Sequence, residues 1–368
     1  MVERRDPLIG TLLDERFRID SQIAAGGFGA IYRATDVRSD AEVALKVLHP
    51  QLTRDPSVVA RFRREGKTLA SLRDPHTITA YELGEADDGT LYIVMELLYG
   101  ETLYYRFRSR GPIAWQQMVH IARGVCSSLA EAHAAGVIHS DLKPANIHLE
   151  LRDGDPDFVK VLDFGIAKIV QGHEVDRTEL TQAGTMIGTV EYMSPEQMVG
   201  GEMTPASDVY TLGVVLYEMI AGRTPFADAT TATAMLAAVL TQVPEPLLRH
   251  ADVPPALSQV IARCLEREAR DRFADISELS DALAQVIAAA SGTVRMADLA
   301  YVARREVPAA EFDASLTAES TRIDVRRHAR VPYLAAPPPP PPVAAPPGKP
   351  AHAKGSQHAI DARPWQPM

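Results

Sequence analysis

Short hydrophobic and polar runs alternate over the first part of the chain, and this period of two is typical of β-strands. Residues 17–19, 30–33 and 43–47 each predict a short strand. Residues 91–97 form a longer apolar run whose only charged member is Glu96, and this run predicts a buried strand. The front of the chain is therefore predicted to form a small sheet.

Helices are predicted where apolar residues recur every three or four positions. The first begins at Asp55 and Pro56, because aspartate can accept hydrogen bonds from the free amides and proline suits the first turn. It continues to about Leu72. A strand-rich front followed by a helix-rich back indicates two lobes. The later helices are predicted over residues 121–132, 209–221, 257–265 and 276–289.

Composition adds limits to this picture. The 368 residues are 46% hydrophobic, which allows a sizeable core, and the formal net charge of −10 argues against a protein that coats nucleic acid. No apolar stretch reaches the ~18 residues of a membrane span, and the N-terminus lacks a signal-peptide core, so we predict a cytoplasmic location. Cys126 and Cys264 lie in helical patterns and are interpreted as buried small hydrophobes.

The 27 prolines concentrate at the end of the chain. Residues 331–368 hold 12 of them, and the composition predicts a disordered tail with polyproline II segments. This tail could dock a partner that recognises proline motifs, or it could be a spacer that has no partner. Residues 291–330 are predicted to be a charged linker that is partly helical.

Two features of the sheet suggest phosphate chemistry. Gly26, Gly27 and Gly29 lie between two strands, where backbone amides can approach a phosphate, although a tight hairpin would use the same residues. Lys46 lies in an otherwise apolar strand and needs a negative partner if it points inward. Glu65, on the following helix, is a plausible partner. Alternatively, Lys46 faces solvent from an edge strand and Glu65 is an ordinary solvated charge of its helix.

The strongest chemical pattern lies in the middle of the chain. Asp141, Lys143 and Asn146 fall within six positions, and Asp163 follows in the triplet Asp163-Phe164-Gly165. Asp141 can accept a hydroxyl proton and Lys143 can neutralise a transferring phosphoryl group. Asn146 and Asp163 offer the oxygen ligands that magnesium prefers.

These motifs, in this order, resemble the eukaryotic-type protein kinases, in particular the bacterial Hanks-type Ser/Thr kinases. The resemblance covers about residues 11–290 and implies an α+β, two-lobed kinase fold. An N-lobe of about residues 11–96 would hold an antiparallel sheet and one helix, and a helical C-lobe would span about residues 102–290. Residues 1–10 would be an N-terminal extension.

The resemblance also implies an ATP site with Mg²⁺, for which Mn²⁺ could substitute. Lys46, held by Glu65, would contact the α- and β-phosphates, Asn146 and Asp163 would bind the metal, and Asp141 with Lys143 would serve the transfer. Met95 matches the gatekeeper. The nucleotide site would be formed by Ile23, Ala24, Ala25, Gly26, Gly27, Phe28, Gly29, Ile31, Ala44, Lys46, Met95, the backbone at Glu96 and Leu98, Thr102 and His148.

Further residues are assigned through the same resemblance. Lys143 and Thr189, the latter on the substrate platform, favour Ser/Thr over Tyr acceptors in a protein substrate. Glu196 and Arg272 would form a structural ion pair. A homodimer through the N-lobe is a further expectation. The activation loop offers three candidates for autophosphorylation, namely Thr178, Thr181 and Thr185.

Three positions depart from the family pattern. Ala24 replaces the first loop glycine, which predicts at most a modest loss of ATP binding. Ser140 replaces the arginine that commonly binds an activation-loop phosphate, so control by that loop becomes doubtful. His148 stands where an aliphatic residue usually lies beneath adenine, and it is either a titrating group or a tolerated ring.

Two functions remain open on the sequence. The first is an active Ser/Thr kinase. The second is a nucleotide-binding pseudokinase scaffold, which Ser140 and Ala24 support to a small extent. The intact set of Lys46, Glu65, Asp141, Asn146 and Asp163 argues against the scaffold.

Overall fold

The computed structural model describes residues 6–27, 29–164 and 190–292, and in these ranges a β-rich front precedes a helical back. This arrangement confirms the predicted two-lobed α+β fold. Several predicted features lie outside the described residues: Phe28, Gly165, the threonines Thr178, Thr181, Thr185 and Thr189, the tail, and the part of the predicted 291–330 linker from residue 293 onward.

The N-lobe is built on a six-stranded antiparallel sheet with the strand order β1-β2-β3-β4-β6-β5. The four strands predicted from the sequence are present and mostly longer than predicted, while β1 and β5 were not predicted. The strands are β1 (Leu12–Leu13), β2 (Phe17–Ala25), β3 (Gly29–Asp36), β4 (Ala41–Leu48), β5 (Ala80–Glu85) and β6 (Leu91–Glu96).

One helix, α1 (Pro56–Leu69), connects β4 to β5. Asp55 caps it by accepting a hydrogen bond from the Ser57 amide at 2.8 Å, as its sequence position predicts. Phe62 and Leu69 are buried and join the core that continues into the C-lobe. The helix therefore presents its apolar side to the sheet and holds Glu65 beside β4.

The chain before β1 packs against the N-lobe. The Gly10 amide donates to the Ile19 carbonyl at 2.8 Å, and the Tyr32 hydroxyl donates to Asp6 at 2.7 Å. Leu8 packs against an apolar cluster of the sheet that includes Phe17, Ile19 and Leu45. The described part of the predicted N-terminal extension is thus in contact with the lobe.

The C-lobe begins with a second small sheet, β7 (Glu101–Thr102), β8 (Ile147–Arg152) and β9 (Asp155–Val161), whose strands are antiparallel. The 3₁₀ turn at Pro144–Asn146 leads directly into β8. The helices are α2 (Leu103–Arg110), α3 (Trp115–Ala134), α4 (Pro195–Met198), α5 (Pro205–Ala221), α6 (Ala232–Thr241), α7 (Pro255–Cys264) and α8 (Ile276–Ala290).

Helix α5 is the centre of the C-lobe and is buried around nearly its whole circumference. It ends where the sequence predicted, because Gly222 adopts a left-handed φ of 80° that favours glycine. Gly213 lets α7 approach closely, since a Cβ there would lie 2.5 Å from the Cβ of Cys264. Cys126 and Cys264 are both buried and unbridged. Within the described ranges, no helix has the length and apolar character required to cross a bilayer.

Candidate active site

The cleft between the lobes brings together three charged groups that are distant in sequence. The Lys46 ammonium lies 2.5 Å from Glu65 Oε1 and 2.8 Å from Asp163 Oδ1. Lys46 comes from β4, Glu65 from α1 and Asp163 from the segment after β9. The lysine therefore points inward and has the negative partner that its position in an apolar strand requires.

Burial and charge set the protonation of this cluster. Burial alone would lower the pKa of Lys46, but the charges of Asp163 and Glu65 outweigh it and raise that pKa above its ordinary value. Burial opposes ionisation of Asp163, yet Lys46 lowers its pKa below the ordinary value. Burial raises the pKa of Glu65. At neutral pH the cluster therefore offers an ammonium and an ionised carboxylate to the cleft.

The loop of residues 139–146, called the catalytic loop below, places three further polar groups beside each other. Lys143 Nζ donates to Asp141 Oδ2 at 2.8 Å, and Asn146 Nδ2 donates to the Asp141 carbonyl at 2.9 Å. Because the amide nitrogen of Asn146 is engaged in this way, its oxygen is left to accept or to coordinate. The structure thus gathers Asp141, Lys143 and Asn146 as their spacing predicted.

The loop is anchored by Asp208, a buried residue of α5 for which the sequence analysis assigned no contact. Its carboxylate accepts from the His139 amide at 2.8 Å and from the Ser140 amide at 3.0 Å, and it lies 2.8 Å from His133 Nε2. A buried carboxylate needs several donors to offset its lost hydration. An aspartate in the first turn of an otherwise apolar helix was the available signal.

His139 is a packing residue at the start of the catalytic loop. Its ring lies 4.8 Å from the Phe164 ring, and its Nε2 lies 2.9 Å from the Leu162 carbonyl. Burial lowers the pKa of His139, so the ring is neutral at pH 7.

Ser140 has a left-handed backbone with φ of 61°, a conformation that non-glycine residues rarely adopt. Its carbonyl accepts a hydrogen bond from Gln197 Nε2 at 3.0 Å. Together with the Asp208 contact to its amide, this bond holds the residue before Asp141 on both sides. Gln197 was not identified from the sequence.

The glycine turn closes by a hydrogen bond from the Gly26 amide to the Gly29 carbonyl at 2.8 Å. A Cβ at position 29 would lie 2.2 Å from the Val47 carbonyl oxygen, so only glycine allows the turn to approach β4 this closely. Ala24 lies opposite Ile31 in β2, where the backbone has the extended conformation that any residue adopts. Replacement of glycine at position 24 therefore brings no backbone strain.

The remaining nucleotide-site candidates flank the connection between the lobes. Ala44 lies opposite Met95 in the N-lobe sheet, and Thr102 lies opposite His148 in the small sheet. Thr102 Oγ1 accepts from the Tyr105 amide at 3.2 Å and so caps α2. The structure places Ile23, Ala25 and Ile31 on the strands beside the turn, and Glu96 and Leu98 at the end of β6 and just beyond it.

For His148 we predict no effect of protonation on ATP affinity between about pH 6.5 and 8. Burial is the largest influence and lowers the pKa of His148 below its ordinary value of 6.5, so the ring stays neutral above that pH. ATP dissociation constants of the wild type and His148→Leu, measured across this range, should give parallel curves. A wild-type curve that diverges from the variant as pH falls would contradict the prediction.

A buried lysine that the sequence analysis missed lies behind the connection between the lobes. Lys160 Nζ is 2.6 Å from Glu96 Oε1, and the lysine side chain is 2% exposed. The signal was available, because Lys160 interrupts an apolar run in the same way as Lys46 does, and Glu96 is the only charged residue of residues 91–97.

Comparison with known proteins agrees with this geometry. The protein kinase domain family matches residues 17–285. The serine/threonine-protein kinase pkn3 of Myxococcus xanthus is 41% identical over 270 residues, which are 73% of this chain and 49% of that protein. The serine/threonine-protein kinase PknL of Mycobacterium tuberculosis is 37% identical over 271 residues, 74% of this chain and 65% of that protein.

A solved structure supports the fold. The crystal structure of the Mycobacterium tuberculosis PknI kinase domain matches with a TM-score of 0.57 and 24% identity, over 75% of this chain and 98% of that one. The chain therefore belongs to the protein kinase family, among the bacterial Hanks-type Ser/Thr kinases. It spans about half of the length of pkn3 and 65% of that of PknL.

Proposed function

We propose that this chain is an active Ser/Thr protein kinase that transfers the γ-phosphoryl group of ATP to Ser or Thr hydroxyls of proteins, itself included. The observation that carries the proposal is the contact of Lys46 with both Glu65 and Asp163, at 2.5 and 2.8 Å. This arrangement joins α1, β4 and the metal-binding aspartate in one cluster. Phosphoryl transfer depends mostly on such positioning and on electrostatic stabilisation.

The side chains present fit a magnesium–ATP complex. Asp163 keeps 42% of its side chain exposed, and only its Oδ1 contacts Lys46. The oxygen of Asn146 is the second hard donor. Mg²⁺ usually takes one or two protein oxygens and completes its shell with phosphate and water, so these two donors are sufficient. Mn²⁺ is expected to substitute.

The proposed roles of the protein groups agree with their positions. Lys46 neutralises the α- and β-phosphates, and the amides of residues 26–29 cover them. Asp141 orients the attacking hydroxyl and accepts its proton. Lys143, 2.8 Å from Asp141, neutralises the phosphoryl group during transfer. The magnesium ion supplies charge neutralisation at the phosphates when bound.

Incubation of the purified chain with ATP and Mg²⁺, followed by intact-mass measurement and phosphopeptide mapping, tests this function. We expect added phosphate on Ser or Thr, and none when EDTA replaces Mg²⁺ or when Lys46 is replaced by Met. An unchanged wild-type mass, together with no transfer to a generic basic protein substrate, would contradict the proposal. The contacts of Lys46 with Glu65 and Asp163 outweigh the small support that Ser140 and Ala24 give to the pseudokinase scaffold.

For the activation loop we predict that the Thr181→Ala, Thr185→Ala double variant keeps most of its turnover. Ser140 cannot form the bidentate charged contact with a phosphate that arginine provides. The catalytic loop is instead held by Asp208 and Gln197, through the contacts to Ser140 described above. The variant should lose the phosphate of positions 181 and 185, followed by intact mass and phosphopeptide mapping, and retain at least about half of wild-type kcat. Loss of most turnover would refute this.

Partners and location are part of the proposal. A protein with a Ser or Thr acceptor is the substrate, and Thr189 would help to form its platform. A homodimer through the N-lobe and a Pro-motif-binding partner of residues 331–368 are testable by light scattering and by pull-down with truncated chains. We place the protein in the cytoplasm, where ATP and reduced cysteines are found.

A further inference from the structure

The buried pair formed by Lys160 and Glu96 carries an inference that rests on the proposed function and deepens it. The Lys160 ammonium lies 2.6 Å from Glu96 Oε1 and 3.3 Å from the Thr77 carbonyl. The lysine side chain is 2% exposed and the glutamate side chain is 20% exposed. This pair lies outside the cluster formed by Lys46, Glu65 and Asp163.

Burial of a lysine in β9 is costly. Its neighbours in the strand, Val159 and Val161, are fully buried in the main core, where an apolar side chain would avoid the loss of hydration. Replacing a buried ion pair by apolar residues is often neutral or stabilising. The pair is therefore poorly explained by overall stability, and what it connects becomes the informative observation.

On one side the pair holds the last residue of β6. Glu96 Oε1 also accepts from the Thr79 amide at 2.7 Å, and the Glu96 amide donates to the Thr79 carbonyl at 3.0 Å. Side chain and main chain of Glu96 are thus fixed against the segment that precedes β5. The backbone at Glu96 and Leu98 is the part expected to contact the adenine edge.

On the other side the pair holds the strand that leads to the metal site. Lys160 precedes Asp163 by three residues and lies opposite His148 in the small sheet. The next residue, Val161, donates to the His76 carbonyl at 2.7 Å and accepts from the Ile78 amide at 3.0 Å. Lys160 therefore links three parts of the expected nucleotide site: Glu96 at the connection between the lobes, His148 on the small sheet, and the segment that leads to Asp163.

We propose that Lys160 is a positioning residue for the nucleotide: through Glu96 it fixes the backbone that connects the lobes (the hinge, residues 96–98) relative to β9, the strand that precedes Asp163. Loss of the ammonium leaves the Glu96 carboxylate with the Thr79 amide alone. The hinge end of the site then loses a restraint while Asp141 and its supports are untouched. The effect falls on nucleotide affinity more than on the transfer step.

The test uses Lys160→Met, Glu96→Gln and the double variant of the full chain. Dissociation constants for ADP and ATP are measured by calorimetry, and KM for ATP and kcat are measured where turnover occurs. We expect each single change to weaken nucleotide binding about fivefold to tenfold, with kcat within about threefold of wild type. The double variant should be no weaker than the weaker single variant, because both changes break one contact.

Controls separate positioning from a structural role. Asp157→Asn disturbs another buried ion pair of β9, the contact with Arg106, and is expected to lower the unfolding temperature with nucleotide affinity unchanged. Lys160→Arg, which retains the charge, should recover part of the affinity. Glu96→Gln changes hardly any volume, so it provides the test even where Lys160→Met does not fold.

Two results would overturn the inference. The first is a nucleotide affinity within twofold of wild type in both single variants, with only the unfolding temperature lowered. The second is an additive loss in the double variant. Failure of the proposed function looks different, because a chain that binds ADP but transfers no phosphate still reports on Lys160 through the binding constants.

Discussion

Replacement of Asp141 by Asn is expected to abolish nearly all phosphoryl transfer while nucleotide binding and the fold are preserved. Asparagine keeps the size of the side chain but cannot accept the hydroxyl proton as a carboxylate does. A positioned general base typically contributes about 10² to 10⁴ in rate. We therefore expect kcat to fall by that factor, with the dissociation constant for ATP changed by less than about threefold.

The structure explains why this change should act on chemistry alone. The loop is anchored through main-chain atoms, since Asp208 binds the amides of His139 and Ser140 and Asn146 binds the carbonyl of Asp141. The Asp141 carboxylate takes part only through a longer contact of 3.5 Å from Asn146 Nδ2, and the amide oxygen of asparagine can accept the same bond. Lys143, whose ammonium lies 2.8 Å from that carboxylate, loses a charge partner but stays partly exposed to water.

Turnover of a protein substrate at saturating ATP is the measurement, with autophosphorylation followed by intact mass. Asp228→Asn is the matched control, because it makes the same chemical change at a side chain that is 94% exposed and should leave kcat unaltered. Residual activity of Asp141→Asn above about a tenth of wild type would show that Asp141 is not the base.

How much of this site could be foreseen depended on how its residues are distributed in sequence. Lys46 and Glu65 are separated by 19 residues, and Asp141 to Asn146 span one short loop, so spacing and residue type were informative. Asp163 joins Lys46 across 117 residues. The order of known kinase motifs assigned both residues to the nucleotide site, but the contact between them was not predicted.

The missed contacts share a different property. Glu96 and Lys160 are 64 residues apart, and Gln197 and Ser140 are 57 apart, with nothing local to link the members. Such pairs follow from how the lobes and loops pack, which periodicity does not encode. The missed strand β5 has the same origin, since only Ala80 of its six residues is buried and its alternation is weak.

Replacement of Arg272 by Met is expected to cost about 3–5 kcal/mol of unfolding free energy, the range found when one partner of a buried ion pair is removed. The Arg272 side chain is fully buried and binds both oxygens of Glu196 at 2.8 Å. It also donates to the carbonyls of Ala206, Glu266 and Arg267 at 2.8 Å. Methionine leaves these acceptors and the partly buried Glu196 carboxylate without the guanidinium.

This loss should depend on pH in a defined direction. Burial opposes ionisation of Glu196, but the hydrogen bonds from Arg272 and Ser207 lower its pKa below the ordinary value of 4.5. A group with a lowered folded-state pKa stabilises the fold above its unfolded pKa and loses that contribution as pH falls through the folded value. The wild type therefore holds this contribution at pH 7. Below about pH 4.5, the difference in unfolding free energy between the wild type and Arg272→Met should become smaller.

Urea unfolding of both proteins at pH 7 and near pH 4 measures this gap. Arg270→Met, a change at an exposed arginine two residues away, is the matched control and should shift unfolding by less than about 0.5 kcal/mol. A loss of unfolding free energy below about 1 kcal/mol for Arg272→Met would contradict the assigned ion pair, and so would a difference from the wild type that increases on acidification.

Loss of Arg272 should also loosen the segment that carries Gln197, because Glu196 lies in the first turn of α4 and accepts a hydrogen bond from Ser207 of α5. Turnover should consequently fall before global unfolding is complete.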